Sequence, residues 1–288
     1  MATSTLILQY IFSGITSGSV YALLALALTL IYNVTRKANL ALGEYAVLSI
    51  FCVLSLTASH LDLVPSLILA MVVAAGASLV QERLVMEPLY AGEETSVLIG
   101  AVGAVFVFQG LFLNVWGREA HSLPRFSQME AIRFGEASLP SQSLWVIVIG
   151  VLALVFVYIF ISKTIYGKAI MACSQNTTAA KLMGINVSRM IRITYIISAC
   201  LVSIAGVVFA PLITIDFGTG LSLTLKGFIA AVLGGMGNAT AAVVGGLLLG
   251  LMEAFVAGYI SASFKDAITL AFLIVLLIAR PTGLFGRI

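Results

Sequence analysis

Apolar runs of about 20 residues, the length that a membrane-spanning α-helix needs, recur along this chain and are separated by short polar stretches. The runs are continuous and lack the alternation of polar and apolar residues that marks the strands of a β-barrel. They cover residues 6–32, 38–58, 63–80, 96–115, 144–161, 193–213, 239–260 and 267–279. The pattern predicts an all-α polytopic membrane protein with about eight long transmembrane helices.

One further apolar stretch, 227–236 within the segment 221–238, is too short to cross a bilayer as a full helix. It is bounded by Gly234, Gly235 and Gly237. Interrupted backbone at membrane depth is tolerated where it is protected by protein or lines a cavity. This stretch is therefore predicted to make a short broken or re-entrant crossing, although the same glycines also suit tight helix packing.

The first apolar run contains Gly14 and Gly18 with several serines nearby. Small residues at this spacing let helices approach closely in a membrane. The first span is therefore predicted to lie at the centre of the bundle.

The distribution of Lys and Arg predicts orientation, because these residues are enriched in cytoplasmic loops. If each span alternates and 164–192 is cytoplasmic, ten of the 15 Lys and Arg lie inside: Arg36, Lys37, Arg83, Lys163, Lys168, Lys181, Arg189, Arg192, Arg280 and Arg287. Arg118, Arg125, Arg133 and Lys265 then lie outside, and Lys226 lies in or near the membrane. A single transmembrane domain, 1–288, is expected, with an external N-terminus, an outer loop at 116–143 and a cytoplasmic C-terminus.

Composition agrees with a membrane class, since 61% of the 288 residues are hydrophobic, 9% are charged and the mean hydropathy is +1.13. The small net charge of +3 gives no indication of nucleic-acid binding. Cys52, Cys173 and Cys200 have no disulfide or metal-ligand spacing and are interpreted as structural. The N-terminus lacks a basic segment before the first apolar run, so that run is expected to remain as a helix.

The polar stretch 166–192 has the features of a small surface structure. Asn176 is a suitable N-cap, residues 177–183 make about two helical turns, and Gly184 suits the left-handed position after a helix. The apolar side of this helix would carry Ala179, Leu182, Met183 and Ile185. Two interpretations follow from these local features, an ordinary cytoplasmic loop and a docking helix for a soluble partner.

Motifs for catalysis are missing from the sequence. Gly167-Lys168 is followed by Ala169, and no glycine stands five positions before Gly167, so there is no phosphate-binding P-loop. His60 and His121 have no cysteine or histidine companions at metal-ligand spacing. The chain is therefore not expected to hydrolyse ATP, to hold a metal or to act as a membrane-embedded enzyme.

Three ionisable residues fall within predicted spans, where a charge costs about 2.5–3.5 kcal/mol on insertion scales. They are Glu44, Lys226 and Glu253. Glu44 lies near the start of its span, so an interfacial position and a place in the pathway both remain open. Glu253 lies nearer the middle of its span. A ladder of acids is lacking, which argues against a proton-driven carrier.

Six sequence stretches, taken in this order, resemble the shorter of the two permeases of branched-chain amino-acid ABC importers, and together they cover nearly the whole chain. They are GSVYALLALALTLIY near the start, NLALGEY, ERLVMEPL, the long stretch from GKAIMACSQNTTAAKLMGINV to SIAGVV, KGFIAAVLGGMGN with GGLLLGLMEAF, and FKDAITLAFLIVLLIARPTGLFG.

The resemblance implies a coupling helix that docks on a cytoplasmic ATPase and is formed by Asn176, Thr177, Thr178, Ala179, Ala180, Lys181, Leu182, Met183, Gly184 and Ile185. It implies that the chain lies in a bacterial inner membrane. It also implies four protein partners: a second homologous permease, two cytoplasmic ATPase subunits that hold ATP and Mg²⁺, and a soluble extracytoplasmic substrate-binding protein. No cofactor is expected on this chain.

Candidate residues of the substrate path are Asn39, Glu44, Gly234, Gly235, Gly237 and Glu253. The family commonly has a histidine before Gly-Glu in its N-x-A-H-G-E motif, and Leu42 stands there in this chain. That departure keeps open urea, short amides and small organic acids as alternative substrates. From another class, an ATPase-independent channel or secondary carrier is the rival hypothesis.

Overall fold

The computed structural model describes residues 3–90, 92–127, 132–134, 137–280 and 283–285. Arg287, which was assigned to the cytoplasmic side above, lies outside these residues. Twelve α-helices form within them: α1 Thr3–Thr35, α2 Leu42–Ala58, α3 Leu63–Gln81, α4 Glu87–Leu89, α5 Glu94–Trp116, α6 Ser141–Lys163, α7 Ile165–Gln175, α8 Thr177–Leu182, α9 Val187–Phe209, α10 Thr219–Gly234, α11 Ala239–Tyr259 and α12 Lys265–Ala279. A π-helical stretch, Glu82–Met86, joins α3 to α4, and a 3₁₀ turn, Ala210–Leu212, extends α9.

The all-α polytopic architecture is confirmed. Among the described residues, six helical segments are long and apolar enough to cross a membrane: Thr5–Thr35, Leu63–Leu89, Thr95–Trp116, Ser141–Lys163, Val187–Leu212 and Ala239–Tyr259. Leu42–Ala58 and Thr219–Gly234 are shorter apolar helices. Two of the eight predicted long spans correspond to shorter helices. Residues 38–58 form the 17-residue α2, because the first residues of this run lie in the turn before the helix, and residues 267–279 lie in the 15-residue α12.

The short crossing differs from its prediction. It forms one continuous helix of 16 residues, α10, which begins at Thr219 and ends at Gly234. The sequence pattern places its start later because Thr224 and Lys226 interrupt the apolar run, whereas both belong to the helix. The interruption lies after the helix, at Gly235 and Gly237, whose φ angles of 123° and 101° favour glycine.

The predicted central position of α1 is confirmed. The most apolar part of this helix is 89% buried, and its neighbours are α9, α10 and α11. A Cβ atom placed on Gly18 would lie 3.0 Å from the Cα of Leu247 in α11. The two helices therefore pack backbone against backbone, as the small residues of the first span predict.

A β-hairpin marks one end of the bundle, which we call the hairpin end. It lies within the predicted outer loop and pairs β1, Ile132–Phe134, antiparallel with β2, Ala137–Leu139. The backbone amide of Ser138 donates a hydrogen bond to Oε1 of Gln9 at 3.0 Å. This bond attaches the hairpin to the first turns of α1.

The opposite end of the bundle, which we call the α8 end, carries α7 and α8. The guanidinium of Arg36, just after α1, donates to the carbonyl oxygen of Ser174 at 2.6 Å. A small apolar cluster joins the same elements: Val34, Ile170, Cys173, Ala180 and Met190. Burial raises the pKa of the Cys173 thiol, so this group packs in its neutral form. The α7–α8 segment is thereby fixed to the last turn of α1 and the first turn of α9.

Large apolar side chains cover the outward faces of α3, α5 and α6, where water would contact them in solution. Six of the most exposed are Ile68, Val72, Phe106, Val107, Leu152 and Phe156. A soluble protein rarely exposes apolar surface of this extent, whereas the hydrocarbon of a bilayer accommodates it. These faces therefore suit contact with lipid.

Candidate functional site

The predicted capped helix is present as α8. The side-chain Oδ1 of Asn176 accepts a hydrogen bond from the backbone amide of Ala179 at 3.0 Å, which satisfies one of the free amides of the first turn. Gly184 follows the helix with a φ of 82°, in the left-handed region. Both signals are local in sequence, and the structure places both where the pattern predicts them.

The two sides of α8 differ in their surroundings. Ala180 is 4% exposed and contributes to the apolar cluster beneath the helix, whereas Leu182 and Met183 are 85% and 83% exposed. Ala179 is also exposed, and Ile185 is partly buried against the cluster. The outward surface of α8 thus carries adjacent apolar side chains, beside Thr178 and Lys181, and nothing in the described part of the chain covers them.

A cavity of about 540 Å³ lies at the hairpin end between α1, α10 and α11. Its lining includes the polar residues Gln9, Ser138, Thr214 and Lys265 and the apolar residues Phe12, Phe209, Leu212 and Leu223. The deepest residue of α1 in its lining is Tyr21. Since Gln9 and Tyr21 are twelve positions apart on one helix, the cavity extends about 18 Å along the helix axis.

Charged side chains meet at the floor of this cavity. Nζ of Lys226 lies 3.0 Å from Oε1 of Glu253 and 3.1 Å from Oδ1 of Asp266. The hydroxyl of Tyr21 donates to Oε2 of Glu253 at 2.7 Å and accepts from Nζ of Lys226 at 3.1 Å. The ammonium also lies 5.3 Å from the centroid of the Tyr21 ring. Three helices, α1, α10 and α11, thus meet at one charged cluster, to which α12 adds Asp266.

The pairing of Lys226 with Glu253 explains why these charges are tolerated inside the bundle. The side chains of Lys226 and Glu253 are 18% and 7% exposed. An unpaired charge at this depth would be unfavourable, whereas each of these charges has an opposite charge and a hydroxyl partner. Lys226 and Glu253 both stand out in the sequence as intramembrane charges, whereas Tyr21 gives no signal in an apolar helix.

Glu44 occupies a different position from Glu253. Its side chain is fully buried, and neither carboxyl oxygen accepts a hydrogen bond within the described residues, although the Gln109 side chain interacts with it. The carboxyl group lies against Gly220 at the start of α10, where an added Cβ would be 2.4 Å from Oε2. The adjacent amide of Gly43 donates to Oγ1 of Thr224 at 2.7 Å. Glu44 therefore lies at the contact of α2 with α10 and away from the cavity lining.

Asn39 lies in the buried segment that leads into α2. Its Oδ1 accepts from the amide of Ala41 at 3.0 Å and from Nε2 of Gln81 at 3.1 Å. Gln81 in turn accepts a hydrogen bond from the hydroxyl of Tyr45. This network fixes the first turn of α2 against α3. It satisfies backbone groups that the bilayer would leave without partners.

The three candidate glycines lie at the α8 end, in the turn between α10 and α11. A Cβ on Gly234 would lie 2.0 Å from the carbonyl oxygen of Ala241. The C-terminal segment covers the turn, since the amides of Leu284 and Phe285 donate to the carbonyl oxygens of Leu233 and Gly234, both at 2.9 Å. Of the predicted path residues, Glu253 lines the cavity, while the glycines, Asn39 and Glu44 lie elsewhere. Their place in a path stays a prediction.

A polytopic helical bundle with a cavity at one end and an exposed apolar helix at the other has the features of a class, the integral-membrane permeases. The comparison with known families agrees with that class. The family described as branched-chain amino acid transport system / permease component matches residues 10–279. The chain belongs to this family.

Curated relatives are similar over almost the entire chain. The high-affinity branched-chain amino acid transport system permease protein LivH of Salmonella typhimurium is 31% identical, with 97% of this chain and 96% of the relative covered. Protein BraD of Pseudomonas aeruginosa, described in the same words, is 32% identical with the same coverage. A probable branched-chain amino acid transport permease protein of Methanocaldococcus jannaschii is 26% identical over 92% of this chain and 88% of its own length. No solved structure matches the chain significantly. The chain is thus a multi-pass permease of the inner membrane.

Proposed function

We propose that this chain is a permease subunit of an ATP-driven importer for branched-chain or other small amino acids. Its relatives carry such names over nearly their full length. Coupling to an ATPase is supported by the exposed side chains of Leu182 and Met183 at the end of α8. Ala180, on the other side of this helix, packs into the apolar cluster and fixes the helix in place. Uncovered apolar side chains on a fixed helix suit docking into a groove of a partner.

The orientation follows from the same assignment. The α8 end faces the cytoplasm, and the hairpin end with its cavity faces outward. Crossings by α1, α2, α3, α5, α6, α9, α10, α11 and α12 place the two chain ends on opposite sides, in agreement with the distribution of Lys and Arg. The bilayer is then crossed by the six long segments and three shorter helices.

The complete importer contains a second homologous permease, two cytoplasmic ATPases and a soluble outer binding protein. The ATPases carry ATP and Mg²⁺, and this chain holds no cofactor of its own. When the ATPases close on ATP, they displace α8. The displacement passes to α1 through the Arg36–Ser174 hydrogen bond and the cluster around Ala180, which shifts the two permeases as rigid bodies.

Leu42 gives no support for a different substrate. This residue, which stands where the family commonly has a histidine, is fully buried in the apolar core and is not among the residues that line the cavity. A change at this position alters packing at the start of α2 and leaves the cavity walls unchanged. The names of the relatives favour amino acids ahead of urea, short amides and organic acids.

Mild detergent extraction of the tagged chain from its own cells tests the proposal. An ATPase and a second permease should co-purify, and uptake of radiolabelled leucine into reconstituted vesicles should require ATP and the binding protein. The rival class makes the opposite prediction, because a channel or secondary carrier transports as a lone chain without ATP. Transport by the isolated chain would therefore overturn the proposal.

A further inference from the structure

The cavity floor presents a cation and an anion side by side beneath apolar walls. We propose that Lys226 and Glu253 recognise the two charged ends of a zwitterionic amino acid, with Lys226 binding the carboxylate and Glu253 the ammonium group. This inference rests on the proposed function and specifies which residues of the chain contact the substrate. It gives α10 and α11 a direct role in substrate selection.

The hydrogen-bonding capacity of the cluster matches such a ligand. Glu253 offers two carboxylate oxygens as acceptors, and the Lys226 ammonium offers three donors. The hydroxyl of Tyr21 bridges the two, donating to Glu253 at 2.7 Å and accepting from Lys226 at 3.1 Å. When a zwitterion separates the pair, every charge exchanges one opposite partner for another. The exchange therefore leaves no buried charge unpaired, whereas a ligand with a carboxylate alone would leave Glu253 without a cation.

Asp266 allows the pair to open. Its Oδ1 lies 3.1 Å from Nζ of Lys226, and its own side chain is 67% exposed, in contrast to the buried Glu253. Lys226 therefore keeps one carboxylate partner while Glu253 turns to the ammonium of the ligand. A pair without this third member would lose its compensation at the moment of exchange.

The walls above the pair suit an aliphatic side chain. Phe12, Phe209, Leu212 and Leu223 give the cavity lining an apolar part, beside hydroxyl groups such as that of Thr16. The volume of about 540 Å³ lies in the range of about 300–1,000 Å³ that is usual for small-molecule sites. Charged groups fixed at the floor and apolar walls above them match an amino acid with a branched apolar side chain.

A purely structural ion pair is the competing explanation, because Lys226 and Glu253 also connect α10 to α11. The double variant Lys226→Met with Glu253→Gln distinguishes the two explanations. It removes both buried charges, and the only charge that loses its partner is the exposed Asp266. A structural pair can be replaced in this way with little loss. A recognition pair cannot, because the zwitterion then loses both of its partners.

The test uses cells of the native organism that lack the chromosomal copy and express each variant. Three quantities are measured: the membrane level of the permease, the amount of co-purified ATPase and the uptake of radiolabelled leucine. We expect the double variant to keep the membrane level and the ATPase, and to lose leucine uptake by about tenfold or more, the effect of losing hydrogen bonds to charged groups. The matched control is Ser49→Ala with Ser203→Ala, which removes another buried hydrogen-bonded pair, at 2.7 Å, away from the cavity. This control should retain uptake.

The outcomes distinguish this inference from the proposed function. Full leucine uptake by the double variant overturns the recognition role and leaves the proposed function unaffected. Parallel loss of membrane level and uptake in the double variant also overturns it, because that result indicates a structural pair. If the wild-type chain neither retains an ATPase nor supports amino-acid uptake, the proposed function fails and the recognition role fails with it.

Discussion

Gly250 of α11 lies so close to Gly18 of α1 that a Cβ atom added to Gly250 would be 2.3 Å from the Cα of Gly18. Three residues further along each of these antiparallel helices, on opposite sides of the glycine contact, stand Glu253 and Tyr21, whose side chains form the 2.7 Å hydrogen bond at the cavity floor. Residues three apart on a helix share one face. The glycine contact therefore sets the separation at which the hydroxyl and the carboxylate meet.

Substitution of Gly250 by alanine should destabilise the bundle. The added methyl group meets backbone atoms that cannot rotate away, and overpacking of this kind costs about 1–3 kcal/mol. We expect Gly250→Ala to lower the thermal unfolding midpoint of the detergent-purified protein. Gly103→Ala is the matched control, because a Cβ there meets no atom within 4 Å. Equal midpoints for the two variants would show that the α1–α11 contact is less close than described.

The outer surface of α8 should be required for ATPase binding and not for folding. Leu182→Asp replaces a side chain that is 85% exposed, so insertion and membrane level should stay near those of the wild type. When α8 docks into the groove of the ATPase, the new carboxylate would be buried without a partner, which costs several kcal/mol. The amount of co-purified ATPase should therefore fall by about tenfold or more. Quantitative blotting of the purified complex measures both quantities.

Ala180→Asp is the contrasting variant on the same helix. Its carboxylate would enter the cluster around Val34 and Met190, so the membrane level itself should fall. Wild-type amounts of ATPase on the Leu182→Asp variant, together with normal leucine uptake, would refute the docking role of α8.

Local signals allow α8 to be predicted from the sequence, whereas the side of the helix that is buried cannot be predicted in this way. Asn176 and Gly184 act on the backbone within a few residues, so their effect can be derived from the sequence alone. Ala179, Ala180, Leu182 and Met183 surround a helix of only six residues with apolar groups on several sides. The side that is buried depends on Val34 and Met190, which come from distant parts of the chain.

The cavity could be predicted only in part for a related reason. Glu253 and Lys226 stand out in the sequence because intramembrane charges are unfavourable. Their pairing with each other, and with Tyr21, depends on the register of α1 and α10 with the antiparallel helix α11. That register is set by contacts such as Gly227 against Leu24 and Gly246 against Ala22, which join residues far apart in sequence.

Accessibility from the two sides of the membrane should separate the hairpin end from the α8 end. Single cysteines at Ser122 and Thr178, both exposed, are placed in a chain whose Cys52, Cys173 and Cys200 are replaced by serine. An impermeant thiol reagent should label Ser122→Cys in intact cells, and Thr178→Cys only after the membrane is opened. Labelling of Thr178→Cys in intact cells would show that the α8 end faces outward, the reverse of the proposed orientation.

The contact between Gly220 and Glu44 should behave as a coupled pair. A Cβ on Gly220 would lie 2.4 Å from Oε2 and 2.5 Å from Cδ of Glu44, in a site where the carboxyl group is fully buried. We therefore expect Gly220→Ala to lower the thermal unfolding midpoint, since the start of α10 must move away from α2. Adding Glu44→Ala removes the colliding group, and part of the lost stability should return.

A double-mutant cycle measures this coupling as the difference between the double variant and the sum of the two single variants. Residues in direct contact give coupling free energies of about 0.5–3 kcal/mol, whereas distant residues add independently. Glu44→Gln serves as the control, because it keeps the volume of the side chain and should retain the collision with Ala at position 220. Additive effects of Gly220→Ala and Glu44→Ala would contradict the contact. Loss of uptake in Glu44→Gln with an unchanged midpoint would instead place this carboxyl group in the substrate path, as the sequence analysis proposes.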